Sequence, residues 1–430
     1  MGRVAVIGGG ASGMMAAITA ARLGEEVTVY EKNDRVGKKI LATGNGKCNF
    51  SNRDFGEQHY YGNREKLKGF FSRFSVEDTM DFFMKAGMLV KDKGGYLYPW
   101  PEQASAVLDI LRIEMRRSGV GTELCAQVEE VGAAGGEERG FLVKCSDGKK
   151  EKYDTVILAC GGCAAPKTGS DGSGFALAGK LGHHIVPVVP ALVQLRCQDS
   201  FLKITAGVRC WARIGLYEEK KGNMGRLLQE EEGELQFTDY GISGIPVFQL
   251  SRQAAYLLEE GKRAAASIDL LPQMDGKEFE EMCMRRMENA SGRTLEEFLV
   301  GLANKKINQM MIKEAGHKPG DEAGRLGEKK LGELLRSYKE LRVHIYAANS
   351  FENAQVTAGG VDLDEVTQEL ESRKIPGIFF AGEMLDVDGR CGGYNLQWAW
   401  TSGYVAGLGA ARHCRQRGME PGKRNRGQRE

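Results

Sequence analysis

Several features are missing from this 430-residue chain, and each absence narrows what it is. No apolar run reaches the roughly 18 residues that a bilayer-spanning helix needs, so no membrane span is expected. The N-terminus has no charged leader followed by an apolar stretch. No signal peptide is expected, and the expected setting is soluble and cytoplasmic, without a membrane partner. Lys and Arg total 59 against 58 Asp and Glu, a net charge of +1. There is no global field to gather nucleic acid, which is not an expected partner. The local exception is Arg412 to Arg429, seven basic residues with only Glu420 among them. It reads as a solvated, frayed tail, with an RNA or membrane contact as the alternative. Ten cysteines are scattered rather than spaced as a disulfide framework, which argues for reduced thiols. His183-His184 has no further His or Cys at ligand spacing, so no metal site is expected. No internal repeat or low-complexity tract is visible.

What is present is concentrated first at the N-terminus. A short apolar strand, Arg3 to Ile7, runs into Gly8-Gly9-Gly10-Ala11-Ser12-Gly13 and an Ala-rich helix ending near Leu23. A second strand, Val27 to Tyr30, ends on Glu31. This is the dinucleotide fingerprint in its full strand, helix, strand context. Gly8 allows the tight turn, Gly10 admits a pyrophosphate, and Gly13 lets helix and strand pack closely. The helix N-terminus offers amides to the phosphates, and Glu31 is placed to accept from an adenosine ribose.

Single cores seldom grow past about 250 to 300 residues, so two or three domains are expected. Phe70 to Met88 is a mixed segment; a helix follows over Glu102 to Arg117, then β-like runs at Gln127 to Val131, Phe141 to Cys145 and Tyr153 to Leu158. Pro187 and Pro190 read as a boundary. The pattern predicts a first part of the dinucleotide domain over 1–190, a β-rich insertion over 191–274 and a helical subdomain over 275–342. The second part of the dinucleotide domain is expected over 343–412, and a basic tail over 413–430.

The last part returns to the opening chemistry. Ile375 to Ala381 is a strand ending on Gly382-Glu383, followed by Gly389 to Asn395 and a helix to about Arg412. FAD needs a second, distant grip for its ribitol and ring, and this segment can supply it. Gly382-Glu383 suits ribitol hydroxyls, and the N-terminus of the Asn395 helix can stabilise charge on the N1/O2 edge of a reduced flavin.

With these residues in hand, the chain resembles the BaiN/YhiN flavoprotein family over almost its whole length. The resemblance rests on Gly8 to Gly13, Gly37 to Asn49, Pro166 to Gly174, Phe237 to Gly244, Thr357 to Val361 and Gly382 to Gln397. It implies an α/β fold: a glutathione-reductase-like Rossmann FAD domain interrupted by a β-barrel-like insertion and a small helical subdomain. It further implies that Ala11, Ser12 and Gly13 lie at the pyrophosphate, Glu31 at the ribose, Lys32 beside the adenosine and Val128 at adenine through its backbone. Lys39, Gly44, Cys48 and Asn49 would line the flavin side, and Gly161, Gly382, Glu383, Gly393, Tyr394, Asn395 and Leu396 would complete the cradle. The chain departs from the family pattern at Asp239, where His is more common, and at Ile245, where Pro is.

Thiol chemistry is not expected. Arg53 stands where a redox partner of Cys48 would be, and Cys160 to Cys163, although at relay spacing, reads as packing. No second Gly-x-Gly-x-x-Gly occurs, so NAD(P)H is expected only as a transient donor. The resemblance implies flavin-dependent reduction of a C=C bond conjugated to a ketone in a small, steroid-like or oxo-bile-acid substrate. Arg390, Tyr394 and Tyr240 are the candidate donor and acid residues. An FAD oxidase or dehydrogenase of a small amine, and a flavin-bearing RNA-binding or tRNA-modifying protein, are the alternatives.

Overall fold

The computed structural model describes residues 1–134, 140–220 and 222–419. The chain divides into two units, Met1–Val188 with Val356–Glu430, and Val189–Gln355. In the first unit five strands form one parallel sheet. Its order is Ile378–Phe380, Thr155–Leu158, Arg3–Ile7, Glu26–Glu31, Gly121–Leu124. Thr155–Leu158 and Ile378–Phe380 are buried at every position, which explains why they read as continuous apolar runs instead of alternating ones.

The fingerprint helix Ala11–Arg22 packs against the long closing helix Tyr394–Met419 almost backbone to backbone. A Cβ at Gly403 would lie 2.4 Å from the Ser12 carbonyl oxygen, and one at Gly407 would lie 2.5 Å from that of Ala16. Two glycines one turn apart therefore set this contact, and a side chain at either would push the helices apart. Residues 413–419, expected in the basic tail, instead continue this helix; residues 420–430 lie outside the described residues.

Two further differences from the sequence expectation lie in this unit. The run Tyr153 to Leu158 is two strands, because Asp154 breaks it: its carboxylate accepts from the Arg3 amide at 2.8 Å and its own amide donates to the Arg3 carbonyl at 2.8 Å. Lys150–Tyr153 closes an antiparallel meander with Phe141–Cys145 and Val128–Ala133, whereas Thr155–Leu158 joins the parallel sheet. The Phe- and Met-rich segment forms two helices, Arg64–Phe71 and Val76–Lys85, the second begun by a reciprocal Ser75/Asp78 capping box.

The second unit is a closed barrel of Leu195–Cys197, Gly241–Ser243, Asn223–Phe237, Arg209–Lys220, Arg263–Asp269 and Leu341–Ala348. The last strand pairs back to the first. Residues 343–355 belong here, not to the dinucleotide unit. Leu341, Val343 and Ile345 point inward while Arg342, His344 and Tyr346 are exposed, the alternation of a strand that closes a barrel. The helices Gly276–Glu288, Leu295–Leu299, Lys305–Glu314 and Gly327–Arg336 share one apolar core with the barrel, so the helical segment is not a separate body.

Candidate functional site

The site begins at the turn after Arg3–Ile7. Gly8 sits at φ 106°, and a Cβ on Gly13 would stand 1.9 Å from the Gly8 carbonyl oxygen, so only glycine fits there. Gly10 caps the fingerprint helix without a side-chain hydrogen bond, and a Cβ there would meet nothing within 4 Å. There is therefore room beside Gly10 at the N-terminus of the helix, where Ala11 is half-buried and Ser12 buried. That is the arrangement a pyrophosphate needs.

At the adenosine end, Glu31 is only 8% exposed. Its Oε2 accepts from the Gly9 amide at 3.0 Å, and its Oε1 accepts from the amide and Nδ2 of Asn33 at 2.8 and 2.7 Å. Oε2 retains a lone pair for a hydroxyl. The Ala126 amide donates to the Glu31 carbonyl at 2.9 Å, which lays the chain leading to Val128 alongside this acid. Lys32 is tied by a 2.6 Å ion pair to Asp171, on the Gly169 to Gly174 loop.

The other half is gathered from distant pieces of chain. Lys39 Nζ lies 2.7 Å from Glu383 Oε2, and Glu383 Oε1 accepts from the Thr357 amide at 3.1 Å. Thr357 Oγ1 accepts from the amides of Cys163 and Ala164 at 2.7 and 3.0 Å. Gly161 belongs to the same cluster, since its Cβ would lie 2.7 Å from Ser170 Oγ and 3.9 Å from Glu383 Oε2. The closing helix holds Gly382 from both sides: Trp398 Nε1 donates to its carbonyl at 3.1 Å and Ser402 Oγ accepts from its amide at 2.8 Å. A Cβ on Gly382 would come within 2.5 Å of Ser12 Oγ, so the two halves meet at the fingerprint helix.

Gly392 and Gly393 both have positive φ, 127 and 95°, and turn the chain into the closing helix. The Asn395 side chain accepts from the Gly389 amide and donates to its carbonyl, both at 2.8 Å, so it braces the turn at the start of the closing helix. Leu396 follows in the same turn, half-buried. Asn49 Oδ1, 2.8 Å from where a Gly393 Cβ would be, is buried without a hydrogen-bond partner among the described residues; so is Ser170 Oγ. Gly44, at φ 55°, packs on the Asn49 amide.

An open helix N-terminus, an acid with a spare lone pair and two orphaned oxygens along one path fit an extended FAD. Buried polar atoms of this kind are otherwise expensive, at roughly 1–3 kcal/mol each. Ser170, Thr357, Trp398 and Ser402 were not among the sequence candidates. Ser170 sits inside a quoted motif, but nothing local reveals that its hydroxyl lacks a partner.

The candidate reactive residues are divided between the units. The Arg390 amide donates to the His59 carbonyl at 2.9 Å. Tyr394 stacks on His59 with ring centroids 4.7 Å apart, and burial pushes its phenol up to about 12, so it keeps its proton at neutral pH. Tyr240 belongs to the barrel unit, where the Arg196 guanidinium lies 5.6 Å from its ring centroid. Two of the thiols near the cradle are held protonated: burial pushes Cys48 up to about 11 and Cys160 up to about 12. Cys160 packs towards Gly174 and Cys163 towards Gly172. Among the described residues no cluster of metal-ligating side chains occurs, and no helix is long and apolar enough to cross a membrane.

Comparison with known proteins places this cradle in a family. The chain is 42% identical over 416 residues, 96% of its length and 99% of the other's, to a 3-dehydro-bile acid delta(4,6)-reductase of Clostridium scindens. It is 28% identical over 412 residues to a ribosomal RNA dihydrouridine synthase of Haemophilus influenzae, covering 95% of this chain and 98% of that one. A ribosomal RNA dihydrouridine synthase of Escherichia coli is 29% identical over 407 residues, 93% and 96% of the two chains. The model of the HI0933-like protein Rossmann domain matches residues 2–409, and the chain belongs to that family.

Proposed function

We propose that this chain is a cytoplasmic, FAD-dependent reductase of a carbon–carbon double bond conjugated to a ketone, with a steroid-like oxo acid as substrate. The observation that carries the reading is the full-length 42% identity to a bile acid delta(4,6)-reductase. Free thiols throughout the chain agree with a reducing compartment. NAD(P)H is the proposed donor, docking transiently, because the sequence holds a single dinucleotide fingerprint.

FAD, when bound and reduced, supplies a hydride. The chain must do the rest: hold the ketone, polarise it and deliver a proton to the α carbon. Arg390 is the proposed polarising donor and Tyr394 the proposed proton source, with Tyr240 of the barrel unit as a further candidate. Tyr394 is proposed for that part because it opens the closing helix beside the Gly392-Gly393 turn and its phenol carries a proton to give.

A second reading draws on the two ribosomal RNA dihydrouridine synthases. Dihydrouridine is uridine saturated across a C=C bond conjugated to a carbonyl, so the reaction class is the same and only the carrier differs. Anaerobic bleaching by NADH and by NADPH identifies the donor. Reoxidation of the bleached protein by a 3-oxo-4-ene steroid acid, but not by uridine-containing RNA, supports the first reading. The converse result establishes the second. Rapid reoxidation by oxygen with neither substrate sinks both and favours an oxidase of a small amine.

A further inference from the structure

A hairpin, Val90–Lys93 and Tyr96–Pro99, is turned by Gly94-Gly95, both at positive φ. Alternation along its second strand sends Leu97 fully into the core and puts Tyr96 and Tyr98 on the opposite face. Asn52 pairs with Tyr96 in the same small sheet, and its Nδ2 donates to the Gly392 carbonyl at 2.9 Å. A Cβ on Gly392 would lie 2.9 Å from Tyr96 Cε1 and 3.4 Å from Tyr394 Cε2. Two tyrosine rings therefore flank one glycine of the turn that enters the closing helix.

The two rings differ in access. Tyr394 is 5% exposed and stacked on His59. Tyr96 is 44% exposed, and its hydroxyl has no hydrogen-bond partner among the described residues. Tyr98 beside it is drawn into the protein, its phenol raised by burial and by neighbours that include Tyr96 and Cys391. A half-exposed phenol, its hydroxyl open to a ligand, thus stands on a hairpin packed against this turn.

We propose that Tyr96 recognises the substrate ketone. Its ring forms a flat apolar wall, and its hydroxyl donates a hydrogen bond to the ketone oxygen. The proposal rests on the conjugated-ketone reading above and names a specificity residue of that same site. A hydroxyl donor suits a neutral carbonyl, and the ring suits the face of a fused-ring steroid.

The test uses FAD-loaded wild type, Tyr96→Phe and Tyr96→Ala. Tyr96→Phe is expected to hold FAD, melt and bleach with NADH as wild type does. Its reoxidation by a 3-oxo-4-ene steroid should slow about tenfold, the worth of one hydrogen bond. The Kd of a saturated 3-ketosteroid, read from the spectrum of the oxidised flavin without turnover, should rise by a similar factor. Tyr96→Ala should weaken that binding further by removing the wall. Reoxidation and Kd of Tyr96→Phe within about twofold of wild type would overturn the role of Tyr96 while leaving the function standing. Failure of wild type itself to be reoxidised by any conjugated ketone would overturn the function and this proposal with it.

Discussion

The adenosine end of the cradle is made chiefly from one stretch of chain, joined by Ala126 and Asp171, and the ring end from many. Gly8, Gly10, Gly13 and Glu31 lie within a single strand, helix, strand unit, and the Glu31 carboxylate is met by amides from that unit and its next turn. The ring end joins Lys39 to Glu383, Asn52 to Gly392, and Thr357 to Cys163, contacts that span the whole sequence. A local site can form as soon as its helix does. A dispersed one exists only once the two parts of the dinucleotide unit are folded together, so breaking each end has a different signature.

The largest effect is expected at the local end, from Gly13→Ala. The added Cβ would stand 1.9 Å from a backbone oxygen, so the variant should lose both soluble yield and nearly all bound FAD, read from flavin absorbance per chain. Gly10→Ala is the sharper comparison, since its Cβ meets no protein atom. Its cofactor-free Tm should match wild type while FAD affinity falls about tenfold or more, as expected of a methyl placed where phosphate belongs. Equal FAD affinity in that variant would show that the space in front of the helix is not the cofactor's.

At the dispersed end, Glu383→Gln removes the ion pair with Lys39, both side chains being about a quarter exposed or less. A loss of about 1–3 kcal/mol in unfolding free energy is expected, together with weaker FAD binding. Urea unfolding of the cofactor-free and loaded protein separates the two terms.

A smaller effect should come from the support behind the ring end. His183 is buried, with Nδ1 2.8 Å from Glu365 Oε2 and Nε2 2.9 Å from Ser372 Oγ, and Lys374 Nζ lies 2.6 Å from Glu365 Oε1. Burial holds the imidazole below its ordinary 6.5, with Glu365 partly opposing. The unfolded chain therefore takes up this proton first. Stability should be full above pH 6.5 and fall as pH drops from there towards the folded value, and His183→Gln should flatten Tm against pH over that window. The least effect is expected of Cys160→Ala with Cys163→Ala, whose turnover should stay within about twofold of wild type because neither thiol ionises near neutrality.

The same contrast explains how much was legible in the sequence. The fingerprint was readable because its strand, helix, strand order is local and Gly13 meets Gly8 five residues away, although Gly8 also packs on Ala159. Gly382-Glu383 and the Gly392-Gly393 turn were legible as short motifs, but their partners Ser170, Thr357, Trp398 and Ser402 were not, since only folding brings them together. The Ser75/Asp78 capping box was a local signal for a helix in a segment whose many aromatics hid its period. Leu341–Ala348 alternates plainly, yet its place in the barrel depends on Leu195–Cys197 and Arg263–Asp269, far away in sequence. The depth of the closing helix contact rests on Gly403 and Gly407, which are unremarkable in a helix full of small residues.

The central claim is that this cradle holds a flavin that reduces a conjugated C=C bond. A single anaerobic turnover tests it most directly: protein bleached with one equivalent of NAD(P)H is mixed with a 3-oxo-4-ene steroid acid and the product is weighed by mass spectrometry. The account predicts one product per flavin, heavier by two hydrogens, formed as the flavin reoxidises. Unchanged steroid beside a flavin that stays reduced until oxygen is admitted would contradict it.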